Sequence, residues 1–295
     1  MPRRGSAPTL AQEARNLVER LGGRWGSNGG LCRCPAHDDR RPSLSIRPGR
    51  TRLLLHCFAG CRAADVLRAL LADGLVAGSA AGLSAEAAPA TAWAGSPAPA
   101  LRIWGGARPI AGTPAEAYLE GRGLETNSPE LRYHPRTPHG PKPLTRFRPA
   151  LIAAVRDEGG LVAVHRSFLD PKGNALADLP EPRCGLGRFG RGAVRLGGIA
   201  PRLGLAEGIE TALSATALFG LPCWATLGTE RFRLVRLPAE VTELLLFLDH
   251  DAGGRRAERL AREAFEHLPI EAHYPPRASD DWNDVLRASL PHPCR

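Results

Sequence analysis

Leu244-Leu245-Leu246-Phe247-Leu248-Asp249-His250-Asp251-Ala252-Gly253-Gly254 is the stretch that decides the fold. Five apolar residues without alternation are too hydrophobic for a strand with one wet face, so they read as a strand buried on both sides. The run ends abruptly in Asp249-x-Asp251 and two glycines. On either side the same rhythm repeats. Leu203 to Ala206 is apolar and runs into Glu207, with a helical pattern from Glu210 to Phe219. Cys223 to Leu227 reads as a strand, Gly254 to His267 as a helix, Ile270 to Tyr274 as a strand and Trp282 to Ala288 as a helix. Buried strands alternating with helices predict an α/β fold with a mostly parallel sheet over residues 201–295. In such sheets the reactive groups sit at the carboxyl ends of the strands.

Three acidic features fall at those ends: Glu207, the pair Asp249 and Asp251, and the group Asp280, Asp281 and Asp284. One aspartate at a strand end is most simply a helix cap, and Asp280 and Asp281 suit that role before the last helix. Glu207 and Asp249-x-Asp251 together are less easily explained so. Clustered carboxylates repel unless a hard cation neutralises them. Magnesium takes oxygen ligands and keeps waters, leaving room for substrate phosphates. Phosphoryl-transfer chemistry uses ions held in this way. Glycine after each acidic position lets a phosphate approach the backbone. His250, alternating away from its neighbours, reads as structural.

Far upstream, Cys34-Pro35-Ala36-His37 and Cys57-Phe58-Ala59-Gly60-Cys61 form two ligand pairs with nineteen residues between them. Four N/S ligands on two turns satisfy tetrahedral zinc, and a site filled entirely by protein is structural. The expected set is Cys34, His37, Cys57 and Cys61. Cys32 and His56 compete for a place, each lying one or two residues from an assigned ligand. Leu44 to Ile46 and Leu53 to Leu55 read as short strands between the pairs, a zinc ribbon over residues 1–75, with helices at about 10–22 and 63–71. Cys184, Cys223 and Cys294 are scattered and read as small buried hydrophobes.

Residues 76–102 are dominated by Ala, Gly, Ser and Pro and read as a flexible linker. Residues 103–200 form an α+β middle region. Thr113-Pro114 starts a helix, and Ala150 to Val155 with Leu161 to His165 make a hairpin. Arg183, Arg188, Arg191 and Arg195 follow among glycines and read as a loose basic stretch.

Residues CPAHDDRRPSLSIRPG followed by LLLHCFAGC resemble the CHC2-type zinc-binding domain of bacterial and phage DNA primases. The second pair is spaced C-x3-C where C-x2-C is more usual in that family. GLAEGIETALSA, LLLFLDHDAGG and DDWNDVL resemble the Toprim fold of primases, topoisomerases and some nucleases. The resemblance implies that Glu207 acts as general acid/base or metal-organising carboxylate. It implies that Asp249 and Asp251 bind catalytic Mg2+ or Mn2+, with Asp281 as a fourth contributor. Arg40, Arg41 and Arg47 on the ribbon would face phosphate. By position the middle region would cradle template and nucleotides, with Arg166, Lys172 and Arg183 as its basic residues. Glu210, beside the place where primases often carry another acid, is not counted as a ligand.

The formal charge of +9, almost all arginine, favours a polyanionic partner. The implied function is a DNA primase making short RNA primers on single-stranded DNA from ribonucleoside triphosphates. The rival readings are a Toprim-type metal-dependent nuclease and a non-catalytic DNA-binding accessory protein. A topoisomerase needs a tyrosine nucleophile, and Tyr118, Tyr133 and Tyr274 stand in no recognisable context. No Gly-x4-Gly-Lys-Ser/Thr loop occurs, so a separate replicative helicase is the expected partner. No run approaches the roughly 20 apolar residues of a membrane span, and the first residues lack a secretory core, so a cytoplasmic protein is expected.

Overall fold

The computed structural model describes residues 9–26, 29–39, 42–49, 52–59, 61–76, 97–125, 127–140, 145–172, 175–179 and 181–290. The chain forms two compact units, Met1–Ala94 and Gly95–Arg295. No helix among the described residues is long and apolar enough to cross a membrane.

In the first unit helix α1 (Leu10–Arg20) begins at a reciprocal cap, with Thr9 and Gln12 each satisfying the other's backbone N–H. Strands β1 (Arg24–Gly26), β2 (Gly29–Cys32), β3 (Leu44–Pro48) and β4 (Leu53–Cys57) form an antiparallel sheet in that order, followed by helix α2 (Ala63–Ala72). Ala14, Leu17 and Val18 of α1 pack with Leu44, Ile46 and Leu55 of the sheet and with Val66 and Leu70 of α2. The small core surrounds the cysteine turns.

The second unit holds two sheets. Helix α3 (Ala98–Gly105) begins inside the segment assigned by composition to the linker; residues 77–96 of that segment lie outside the described residues. An antiparallel sheet runs β5 (Arg108–Pro109), β6 (Leu131–His139), β7 (Arg146–Asp157), β8 (Gly160–Phe168), β9 (Arg183–Gly187), with helix α4 (Pro114–Glu120) capped by Thr113. The β7–β8 hairpin is the one the sequence predicts. The stretch read as loose is not loose. Arg183 to Gly187 is strand β9, and Val194 is fully buried and exchanges backbone hydrogen bonds with Ala225.

The parallel sheet has the order β11-β10-β12-β13, from β10 (Arg202–Ala206), β11 (Cys223–Ala225), β12 (Glu243–Phe247) and β13 (Ile270–His273). Helices α5 (Ile209–Phe219), α6 (Ala252–Ala264) and α7 (Trp282–Ser289) complete it. Leu203, Leu205, Leu244 and Leu246 pack with Leu260 and Phe265 on one side. On the other, Ala206, Ile209, Phe247 and Trp282 share one core with Leu131, Leu151, Ala153 and Val155 of the antiparallel sheet. The two sheets therefore hold each other in place.

Strand β10 can lie this close to its neighbours because position 204 has no side chain. A Cβ there would sit 2.8 Å from Cys223 Sγ and 2.9 Å from Phe247 Cε2. Gly204→Ala is expected to lower stability by about 1–3 kcal/mol through overpacking. Cys223→Ala in the same chain should recover part of that loss; urea unfolding of the two single variants and the double variant measures the coupling.

Candidate functional site

The first candidate site lies in the zinc ribbon. Ligand atoms of Cys34, His37, Cys57 and Cys61 all fall within 4.8 Å of one another. Tetrahedral zinc with Zn–S near 2.3 Å separates its sulfurs by about 3.8 Å, so the donor set fits that ion. Cys61 Sγ is 3.2 Å from His37 Nδ1. Hydrogen bonds from Cys34 and Cys61 pull the Cys57 thiol far down, whereas those to Cys34 and Cys57 push Cys61 far up. The cluster by itself stabilises one thiolate at the expense of another, and a divalent cation removes that conflict. Asp39 supports the first ligand turn, accepting hydrogen bonds from Cys34 N (2.6 Å), Ser43 N (3.0 Å) and Ser43 Oγ (2.7 Å). Its other oxygen lies 3.7 Å from His37 Nε2, an outer partner that orients the imidazole.

The two competing donors go elsewhere. Cys32 is fully buried and donates to the Leu44 carbonyl at 3.4 Å, and His56 packs edge-on against Phe58. Arg47 is exposed on β3; Arg40 and Arg41 lie outside the described residues. Of the scattered cysteines, Cys223 is buried and Cys184 half-buried; Cys294 lies outside the described residues.

The second candidate site is at the carboxyl margin of the parallel sheet. Ala206 pairs with Phe247 across β10 and β12, so Glu207 leaves one strand beside the point where Asp249 leaves the next. Glu207 is pushed above the ordinary carboxylate range by burial and by Asp249 and Asp251, against a hydrogen bond from Thr229. Asp249 is likewise raised by burial, then by Asp251 and Asp281. No cation appears among the main influences on Asp249. Asp249 thus feels both Asp251 and Asp281, and Glu207 feels Asp249 and Asp251, although the zinc cluster is the one group among the described residues whose ligand atoms already converge. All-oxygen donors under mutual repulsion suit a hard divalent cation.

Two of the four also cap helices. Asp251 accepts from Gly254 N at 2.8 Å at the start of α6, and Asp281 forms a reciprocal cap with Asp284 on α7. Arg122 approaches Asp281 at 3.9 Å. His250 stacks on the Tyr274 ring at 5.1 Å.

The sequence reading missed the turn that organises this margin. Leu227 sits at φ 66°, the one non-glycine positive φ among the described residues, and Gly228 follows at φ 145°. This backbone delivers Thr229, whose hydroxyl donates to Glu207 Oε2 at 3.0 Å. The 3-10 turn Thr229–Arg233 is then tied down in two directions. Buried Arg231 donates to the carbonyls of Thr226, Gly190 and Gly192, and buried Glu230 pairs with Arg233 and with Arg256 of α6. Only the dipeptide Gly228-Thr229 hints at such a turn in the sequence.

Two of the predicted nucleic-acid contacts need correcting. Arg166 is buried and donates to the carbonyls of Pro138 (2.6 Å) and Gly185 (3.0 Å), which commits its guanidinium to the fold. Arg183 pairs with buried Glu210 at 2.6 Å, and Tyr118 donates to the same carboxylate at 2.7 Å. Burial pushes Glu210 upward, but Arg183 and Tyr118 outweigh it and hold the group low. Lys172 is exposed in a turn.

Residues 202–292 match the family model of the Toprim domain, and residues 94–196 match a domain of unknown function, DUF7146. The carboxy-terminal part of the chain is a Toprim domain. No curated protein matches the chain. Among solved structures it is similar to a DNA primase domain from Pseudomonas aeruginosa, at 18% identity and TM-score 0.45, over 61% of this chain and 68% of that one. It is similar to the zinc-binding and RNA polymerase domains of Aquifex aeolicus primase, at 15% identity and TM-score 0.47, over 96% and 83%. The primase fragment of the bacteriophage T7 primase-helicase matches at 14% identity and TM-score 0.39, over 59% and 65%.

Two outcomes are expected. Purified protein should hold about one equivalent of zinc, lost in Cys57→Ser and kept in Cys32→Ser, as read by atomic absorption. The second concerns pH. Carboxylates whose folded pKa is raised bind protons more readily folded than unfolded, so the metal-free fold loses stability as pH rises from the ordinary values of 3.8 and 4.5. Magnesium should therefore raise the melting temperature more at pH 7 than at pH 5. Asp249→Asn should raise the metal-free melting temperature and abolish the magnesium effect.

Proposed function

We propose that this chain is a DNA primase that joins ribonucleotides on a single-stranded DNA template. The observation that carries the reading is the placement of Glu207 and Asp249 just past the paired ends of β10 and β12 in a Toprim domain, with Asp251 two residues on. A Cys3His ribbon preceding that domain in the same chain supports it.

In this reading Asp249 and Asp251 hold Mg2+ or Mn2+, with Glu207 and Asp281 contributing. The ions would neutralise the triphosphate and the charge that develops as pyrophosphate leaves. Glu207, raised by burial and by its neighbours, is suited to accept the proton of the attacking 3′-hydroxyl. Thr229 fixes the rotamer in which it does so, holding one carboxylate oxygen and leaving the other for the reaction. Glu210 takes no part, being occupied by Arg183 and Tyr118. The ribbon supplies a template-reading surface, and a separate helicase supplies unwound strand.

Asp249→Asn is expected to abolish primer synthesis on single-stranded DNA while leaving template binding nearly intact. Two parallel reactions with magnesium and all four ribonucleotides separate the readings, one with a labelled ribonucleotide and one with labelled template. Labelled RNA products support a primase, and shortened template indicates a nuclease. Full primer yield from the variant would overturn the assignment.

A further inference from the structure

The β6–β7 end of the antiparallel sheet carries a feature that neither the acidic site nor the ribbon explains. Phe147, the second residue of β7, is 57% exposed, although its strand neighbours from Ala150 to Val155 are all fully buried. The guanidinium of Arg136 lies over its ring, 5.5 Å from the centroid. Arg136 and Arg146 are both exposed, and Arg148 is half-buried with its Nε unpartnered. None of these three arginines has a carboxylate partner among the described residues. Elsewhere in the chain Arg156, Arg183, Arg202, Arg236, Arg256 and Arg262 each do. An exposed aromatic ring with a stacked guanidinium and further unpaired cations matches what an unpaired base and its phosphate require.

Its place in the sheet gives the patch a direction. Leu151, Ala153 and Val155 of β7 belong to the core shared with Ala206, Ile209 and Phe247, so that face of β7 looks toward the Toprim sheet. Side chains alternate along a strand, which puts Phe147 on the same face, about 13 Å along from Leu151. The row Leu151, Ser167, Arg183 crosses β7, β8 and β9 and reaches Glu210 on α5, three residues beyond Glu207.

We propose that Phe147 and Arg136 form a stacking platform for single-stranded DNA. This assigns a role to the region matched by the domain of unknown function, and it rests on the reading of the chain as a template-using enzyme. Duplex DNA hides its base faces and would engage only the arginines.

The test measures binding of a fluorescent oligo(dT) to the full chain by anisotropy, without nucleotides or divalent cations, so that primer synthesis is not required. Phe147→Ala should weaken binding roughly 5- to 100-fold, and Phe147→Trp should restore it. Arg136→Ala should reduce the slope of log K against log salt by roughly 0.7. Phe147→Ala should leave duplex binding nearly unchanged. As a second readout, oligo(dT) carrying 5-iododeoxyuridine should crosslink under ultraviolet light to the peptide containing Phe147. Unchanged oligo(dT) affinity in Phe147→Ala overturns the platform, as does crosslinking that maps elsewhere. Loss of primer synthesis in Asp249→Asn with this binding intact bears on the enzymatic reading and not on the platform.

Discussion

Carboxylates that repel one another at the end of a buried sheet are the constraint around which the larger unit is arranged. Glu207 and Asp249 are exposed to solvent at this margin, yet desolvation by the surrounding chain and acidic neighbours raise both, so the fold holds them together against some repulsion. Backbone geometry supplies the counterforce. The ladder between β10 and β12 fixes where each strand ends, and on the other side of β10 Leu227 N extends the β10–β11 pairing by donating to the Glu207 carbonyl at 2.9 Å. Gly254 has no room for a side chain against the Asp249 carbonyl, so the loop bearing both aspartates turns tightly into α6. The Thr229–Arg233 turn completes the frame. It reaches Glu207 through Thr229, α6 through Glu230, and the glycine segment at 190–192 through Arg231. A positive φ at Leu227 is tolerated there because these contacts over-determine the turn.

The two metal-binding candidates differ in a way that follows from their donors. Three thiols and an imidazole fill every position around a soft, tetrahedral ion, and the Asp39 carboxylate braces the turn behind them. Nothing is left for a substrate, so that site stabilises a ribbon whose own core is small. The acidic margin is the reverse. Its oxygens are spread over two strand ends and two helix caps, at Asp251 and Asp281. The result is an open, hard-donor surface with room for phosphate oxygens.

How much of this the sequence reveals depends on whether a residue's role is set locally. Leu244 to Phe247 can only be a buried strand, and its position beside Leu203 to Ala206 follows from the same logic. The ligand pairs are legible because chelation needs short spacings. Strand β6 is harder to see, since Pro135 and Pro138 argue against a strand. The structure accommodates them with a register shift between His134 and Thr137, beyond the point where β5 pairs. Thr229 has no local signature as a carboxylate partner, because its partner is twenty-two residues away. The choice between Cys32 and Cys34 is likewise tertiary. Both are buried, and only the direction of the thiol separates a core contact from a ligand.

Arginine shows most clearly why composition and function part company here. The chain's positive charge suggests a polyanion partner, yet several guanidiniums are spent inside the fold. Arg166 and Arg231 satisfy backbone carbonyls, as buried planar donors with several N–H groups can. Arg183 neutralises Glu210, which sits three residues from Glu207 and would otherwise add to the repulsion at the acidic margin. These arginines raise the net charge while offering nothing to a phosphate. Exposed cations without a carboxylate partner among the described residues, such as Arg136 beside Phe147, are indistinguishable from the committed ones in any count. Net charge therefore says little about where a polyanion would sit, because it counts guanidiniums committed to the fold together with those, such as Arg136 over the exposed Phe147 ring, that are not.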